Sequence, residues 1–157
     1  MESQKKSFLQ KCLAESVSDV FSTMVGVELC PVQEKVVAPK GYKSEITGVM
    51  MILSTHNALL SIALSKENAA MIVSFMTGIA SVELADDELY DGVAELVNMI
   101  AGRAKALLAG TDYHYQITPP LTIVGENHFI LYKKNVSQLS MEFEAGEIKL
   151  HLDLTYL

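Results

Sequence analysis

Tryptophan is absent from this chain, and cysteine and proline are scarce, at two and four residues in 157. Cys12 and Cys30 are too few for a disulfide framework, and neither sits in a CxxC or other metal-ligand spacing. They read as two small buried thiols in a reducing compartment. No linker, low-complexity tract or charge run interrupts the sequence, so residues 1–157 read as one domain. Long apolar runs are missing too. The most apolar window, Ala69 to Ala80, is too short for a membrane span and is broken by Ser74, Thr77 and Gly78. Met1-Glu2-Ser3-Gln4-Lys5-Lys6 leads into a charged amphipathic stretch rather than the apolar core of a signal peptide. Positive charge is also in short supply, with 12 Lys and Arg against 19 Asp and Glu and a formal net charge of −7. Nucleic acids and anionic membranes select clustered Lys and Arg, so neither is an expected partner. The expectation is a cytoplasmic protein.

Several chemical signatures are lacking as well. There is no GxSxG elbow and no Gly-rich phosphate loop. His56, His114, His128 and His151 are far apart and lack ligand spacing, so no metal site is expected. His151 alternates with Leu150 and Leu152, which places it on a sheet face.

What is present is a core. Half the residues are apolar and 20% are charged. A domain of this length buries roughly 68–70% of its unfolded surface and needs no covalent or metal staple. Phe8 to Val25 has helical periodicity and meets Gly26, a helix stop. Val32 to Val37, Ser44 to Leu53 and Ala58 to Ser65 read as strands, with turns at Pro39-Lys40-Gly41 and Thr55-His56-Asn57. Lys66 to Thr77 returns to helical spacing and ends at Gly78. A long helix is predicted from Asp86 to Leu108, with three acidic residues at its positive end and Gly110 beyond it. Four further strands follow: Ile117 to Val124, His128 to Lys133, Val136 to Phe143 and Ile148 to Leu154. Hairpin turns are expected at Gly125-Glu126-Asn127 and Ala145-Gly146. Each half of the chain thus has a helix ending in Gly and then several strands. The fold class is α+β, with two long helices packed on a largely antiparallel sheet.

On the long helix, Leu89, Val93, Leu96, Ile100, Ala104 and Leu107 share one face. Glu95 and Asn98 lie about 60° apart on the opposite side, with Asp91 and Gly102 on the same stripe and Lys105 at its edge. A solvated helix face looks like this in many proteins. Asn is a poor mid-helix residue, however, and Gly102 costs about 1 kcal/mol relative to Ala. Two such residues on one exposed stripe indicate a local compromise made for function.

The segment from Asp91 through Glu95-Leu96-Val97-Asn98-Met99-Ile100-Ala101-Gly102 to Lys105 resembles the signature helix of the CheC/CheX/FliY phosphatase family. The resemblance extends over Thr23-Met24-Val25-Gly26, the Gly48 region, Ala58 to Ser65, Pro119-Pro120-Leu121-Thr122-Ile123-Val124-Gly125 and Asn127-His128. Glu15-Ser16-Val17-Ser18 on the first helix carries Ser where a second motif would need Asn, so the CheX-like branch is indicated.

The resemblance implies a pseudo-symmetric fold, each half a long helix over strands. It also implies hydrolysis of the aspartyl phosphate on a CheY-type receiver domain. The receiver would supply the phosphorylated Asp, its Mg²⁺ and a Lys, so the phosphatase needs no cofactor of its own. Asn98 would orient the attacking water, Glu95 would pair with the receiver's Lys, and Asp91, Gly102 and Lys105 would form the docking rim.

Members of the family form homodimers through their sheets. The alternating Leu150, Leu152, Leu154 and Leu157 fit a pairing edge strand or an ordinary core strand equally. Two other function classes stand beside the phosphatase: a receiver-binding adaptor of the same fold that hydrolyses nothing, and a structural dimerisation domain.

Overall fold

Residues 3–32, 44–133 and 135–157 are described by the computed structural model of this chain. Helix α1, Ser3–Val20, buries Leu9, Leu13, Val17 and Val20 along one side, and the chain then widens into a π-helical turn, Phe21–Val25. Gly26 closes that turn at φ +75°, donating its N–H to the Phe21 carbonyl. The apolar ladder begins only at Phe8, which is why periodicity alone misses the polar first turns from Ser3. Helix α2, Lys66–Thr77, takes Ser65 as its N-cap, the hydroxyl accepting from Asn68 N–H at 3.1 Å. Ser65 therefore belongs to the cap and not to the strand before it. Helix α3, Asp86–Leu107, has no capping side chain at Ala85. Instead, Glu88 accepts the Ala85 N–H at 2.8 Å, and Asp86, Asp87 and Glu88 crowd the positive end of the helix.

The strands are β1 Cys30–Pro31, β2 Ser44–Leu53, β3 Ala58–Leu64, β4 Gln116–Ile117, β5 Leu121–His128, β6 Ser137–Ala145 and β7 Ile148–Tyr156. All pairings among the described residues are antiparallel. The order β1-β6-β7-β3-β2 is continued by β4 and β5, which both pair with β2. This order carries the pseudo-symmetry. Reading β1, β2, β3 as counterparts of β5, β6, β7 maps the sheet onto itself. Each half lends its first strand to the other half's edge, and the two last strands, β3 and β7, meet in the middle. Helix α2 sits between the halves and has no counterpart.

Some expectations lie outside the described residues and others need correction. The strand predicted from Val32 to Val37 and the turn at Pro39-Lys40-Gly41 lie almost entirely outside the described residues. Val32 itself follows β1 and donates its N–H to Glu142 O. Ile117 to Val124 is not one strand, because Pro119-Pro120 separates β4 from β5. Proline has no N–H for the ladder, and at the break Thr118 fills in, its backbone bonding Met51 O and its hydroxyl accepting Met51 N–H. Gly125-Glu126-Asn127 is not a hairpin turn. It is a bulge within β5, where the register jumps between Ser44↔His128 and Ile46↔Val124, with Asn127 at φ 52°. No strand continues past His128 to Lys133. The last hairpin turns at Gly146-Glu147, one residue later than expected.

The C-terminal strand is interior, not an edge. β7 pairs with β3 on one side and β6 on the other, and Leu150, Leu152 and Leu154 are core. Cys12 is buried but Cys30 is exposed, and both are free thiols.

The sheet face turned away from Leu150 and Leu152 is polar yet partly buried. His151, only 3% exposed, stands there with Nε2 3.1 Å from Asp153 Oδ1 and Nδ1 3.6 Å from Glu142 Oε1. Burial lowers its pKa, but the hydrogen bond and charge of Asp153, joined by Glu142, outweigh this and the net shift is upward. A raised folded-state pKa means the stabilisation is complete below the unfolded pKa and is lost as pH rises through the folded one. Thermal unfolding followed from about pH 6 to about pH 9 is expected to show a falling midpoint, and His151→Gln to flatten that part of the curve. A wild-type midpoint that rises over this range contradicts the assignment.

Candidate functional site

Helix α3 lies between α1, α2 and the sheet, and two glycines let it sit that close. At Gly48, in the middle of β2, a Cβ would stand 3.0 Å from the Val93 carbonyl oxygen and 3.2 Å from Val93 Cγ1. At Gly92 a Cβ would fall 2.5 Å from a methyl of Val73 on α2. The helix is therefore pressed against strand on one side and helix on another. Leu89, Val93, Leu96, Val97, Ile100, Ala101 and Ala104 are all buried, while Leu107 is only half-buried.

Cross-links fix the rotation of α3 about its axis. Arg103 grips Asp19 of α1, its Nε and Nη2 each 2.7 Å from Asp19 Oδ2. The Tyr115 hydroxyl donates to Ala101 O at 2.8 Å, and the Thr122 hydroxyl donates to Tyr90 O at 3.0 Å. Lys105 Nζ donates to Gln116 Oε1 of β4 at 2.8 Å. None of these links was foreseen, because each joins α3 to a residue at least eleven positions away whose side chain gives no local signal.

The face left over is the predicted stripe. Asp91 and Glu95 are exposed, and Asn98, Gly102 and Lys105 are half-buried. Asn98 Nδ2 is 3.5 Å from Glu95 Oε2, a long contact that turns the carboxamide nitrogen toward the carboxylate, while Asn98 Oδ1 accepts no hydrogen bond among the described residues. Around Gly102 a Cβ would meet nothing within 4 Å, so no packing inside the chain asks for glycine there. The corresponding stretch of α1 presents exposed Glu15 and Ser18, with Ser16 turned inward to donate to Cys12 O.

The stripe is a helix surface. A cavity of about 70 Å³ does occur in the molecule, between Lys5, Leu9, Tyr113, Tyr115 and Tyr156, but no stripe residue lines it. A carboxylate beside a carboxamide on an open helix face can orient water and pair with a cation. Asn is not basic, so proton abstraction is not within its range.

Residues 46–144, well over half of the chain, match the family described as chemotaxis phosphatase CheX. This chain belongs to the CheX family. The fold is shared with a CheC-like superfamily protein from Shewanella sp. PV-4, at 23% identity over 100% of this chain and 99% of that one, TM-score 0.85. A chemotaxis protein CheX from Desulfovibrio desulfuricans has 24% identity over 95% and 99% of the two chains, TM-score 0.83. The CheX in the CheX–CheY–BeF₃–Mg²⁺ complex from Borrelia burgdorferi has 21% identity over 94% and 96%, TM-score 0.71. No curated protein sequence matches the chain.

The two mid-helix glycines of α3 are expected to behave oppositely. Gly92→Ala drives a methyl into Val73 and should destabilise by about 1–3 kcal/mol. Gly102→Ala meets open space and should stabilise by up to about 1 kcal/mol through helix propensity. Chemical denaturation of the two variants checks this. A destabilised Gly102→Ala would mean that the residue is structural after all.

Proposed function

We propose that this chain is a phosphatase of response-regulator receiver domains that hydrolyses the aspartyl phosphate of a CheY-type partner. The observation that carries the reading is the contact of Glu95 and Asn98 on the outer stripe of α3, next to a glycine that no packing among the described residues requires. The partner is supported by the Borrelia burgdorferi protein of the same fold, which was crystallised with CheY, BeF₃ and Mg²⁺. Such a receiver works in the cytoplasm, and so would this chain.

The division of labour follows from phosphoryl-transfer chemistry. The transition state is loose, so catalysis reduces to an in-line water and stabilised charge. The receiver brings the phosphoryl group, its own Mg²⁺ and a Lys. Asn98 reaches the phosphoryl group from α3, its Oδ1 accepting a hydrogen bond from the attacking water and holding it on line. Glu95 pairs with the receiver's Lys and sets the depth of docking. Asp91 and Lys105 bracket the contact, and Gly102 lets the partner's surface come close to the helix backbone. Positioning of this kind is worth up to about 7–11 kcal/mol in favourable cases. The competing adaptor reading needs Glu95 for docking but has no use for Asn98, so the retained Asn favours the enzyme.

For the homodimer implied by the family, the feature that supports it is the β5 edge and not the C-terminal strand. β5 pairs only with β2 among the described residues, and Leu121 and Val124 on it are 52% and 48% exposed. A free, apolar strand edge is a template for pairing with a second copy.

Two measurements test these proposals. Phosphate release from phosphorylated receivers of the same organism should accelerate with wild type, return to the receiver's own rate with Asn98→Ala, and fall mainly through a higher KM with Glu95→Ala. Acceleration that survives Asn98→Ala would sink the assignment. For the dimer, light scattering should give twice the chain mass for wild type and the chain mass for Val124→Lys. A wild-type monomer at high concentration rejects it.

A further inference from the structure

The cations beside the outer stripe are held in different ways. Arg103 is neutralised by Asp19, with both bonds to one carboxylate oxygen. Lys105 is held by a neutral amide, Gln116 Oε1 at 2.8 Å, and among the described residues no carboxylate forms an ion pair with it. Its position is thus fixed while its charge stays uncancelled. The contact is a hydrogen bond from a charged donor to a neutral acceptor, so it orients the side chain without cancelling its charge, as a carboxylate at position 116 would.

Placement along the helix adds to this. Lys105 is seven residues beyond Asn98, two turns and about 10 Å along the axis, and within about 20° of it around the wheel. Gly102, with no side chain and open space around it, lies between them on the same stripe. At the other end of the stripe stand Asp91 and Glu95, neither in an ion pair among the described residues. The stripe is therefore negative on one side of Asn98 and positive on the other, with a bare stretch of backbone before the positive end.

We infer that Lys105, tethered in place by Gln116, recognises a carboxylate on the docked partner and fixes the direction in which that partner lies along α3. Lys105 is then a specificity-determining residue and Gln116 a positioning residue that acts through it. The partner has a cationic group for Glu95 beside its reactive centre and an acidic side chain about 15 Å away for Lys105. A partner turned end for end would set like charges against each other at both positions, which costs both affinity and rate of association. This rests on the phosphatase reading for the identity of the partner as a receiver domain.

The test is binding of a BeF₃-activated receiver at several ionic strengths, alongside hydrolysis and thermal unfolding of the same variants. Lys105→Met should weaken binding about three- to fivefold and make it less salt-dependent, and Lys105→Arg should restore both. Gln116→Glu separates the two roles, because it keeps an acceptor for the staple while cancelling the charge. The expected result is an unchanged or higher unfolding midpoint together with weaker binding and a raised KM. A structural role for Lys105 predicts the reverse, with altered unfolding and unaltered KM, and that result overturns the inference. So does wild-type binding by Lys105→Met. If no receiver binds wild type, the phosphatase reading falls and the inference falls with it. If a receiver binds with the Lys105 dependence described but is not hydrolysed, the inference stands and the chain is an adaptor.

Discussion

The closeness of α3 to the sheet is the constraint on which the rest of the molecule turns. Gly48 removes a side chain from the middle of β2 where the Val93 carbonyl approaches, and Gly92 removes one where Val73 of α2 approaches. With those two contacts made, the rotation of α3 is no longer free. Arg103 locks onto α1, Tyr115 and Thr122 bond the helix backbone from the β4–β5 side, and the stripe with Glu95 and Asn98 is what remains outside. The proposed docking face is what the burial of the other faces leaves outside.

That logic was readable in part from the sequence. The 3.6-residue spacing of Leu89, Val93, Leu96 and Ile100 gives the buried side, so the opposite stripe follows from geometry alone. The bounds of α2, and those of β2 and α3 to within a residue, match because Gly78, the Thr55-His56-Asn57 turn and the acidic triplet at Asp86 are local signals. The signals that failed are those whose meaning depends on a distant partner. Gly125-Glu126-Asn127 has the composition of a turn, yet pairing with Ser44 and Ile46 across the sheet makes it a bulge. The alternating leucines of β7 fit an edge or a core strand until β3 and β6 are seen on both sides of it. The tether between Lys105 and Gln116 is invisible for the same reason.

The pseudo-symmetric sheet offers two comparable helix platforms, and the proposed site uses one of them. Both halves supply a helix with an exposed Glu followed three residues later by a polar side chain. In α3 that residue is Asn98, whose carboxamide offers an acceptor and a donor at some reach from the backbone. In α1 it is the exposed Ser18, whose hydroxyl ends one bond closer to the backbone than a carboxamide. The duplicated architecture provides two similar platforms, and under the proposed mechanism only the one with the carboxamide can hold the water.

The central claim is that the outer stripe of α3 is where a phosphorylated receiver docks. An NMR titration with a BeF₃-activated receiver measures this most directly, because it reads each amide separately and needs no turnover. The account predicts that the Asn98 side-chain amide and the backbone amides of Glu95 and Gly102 move most, with the far sheet face around His151 unmoved. Changes concentrated on β5 or around His151, with Asn98 and Gly102 unmoved, would contradict it.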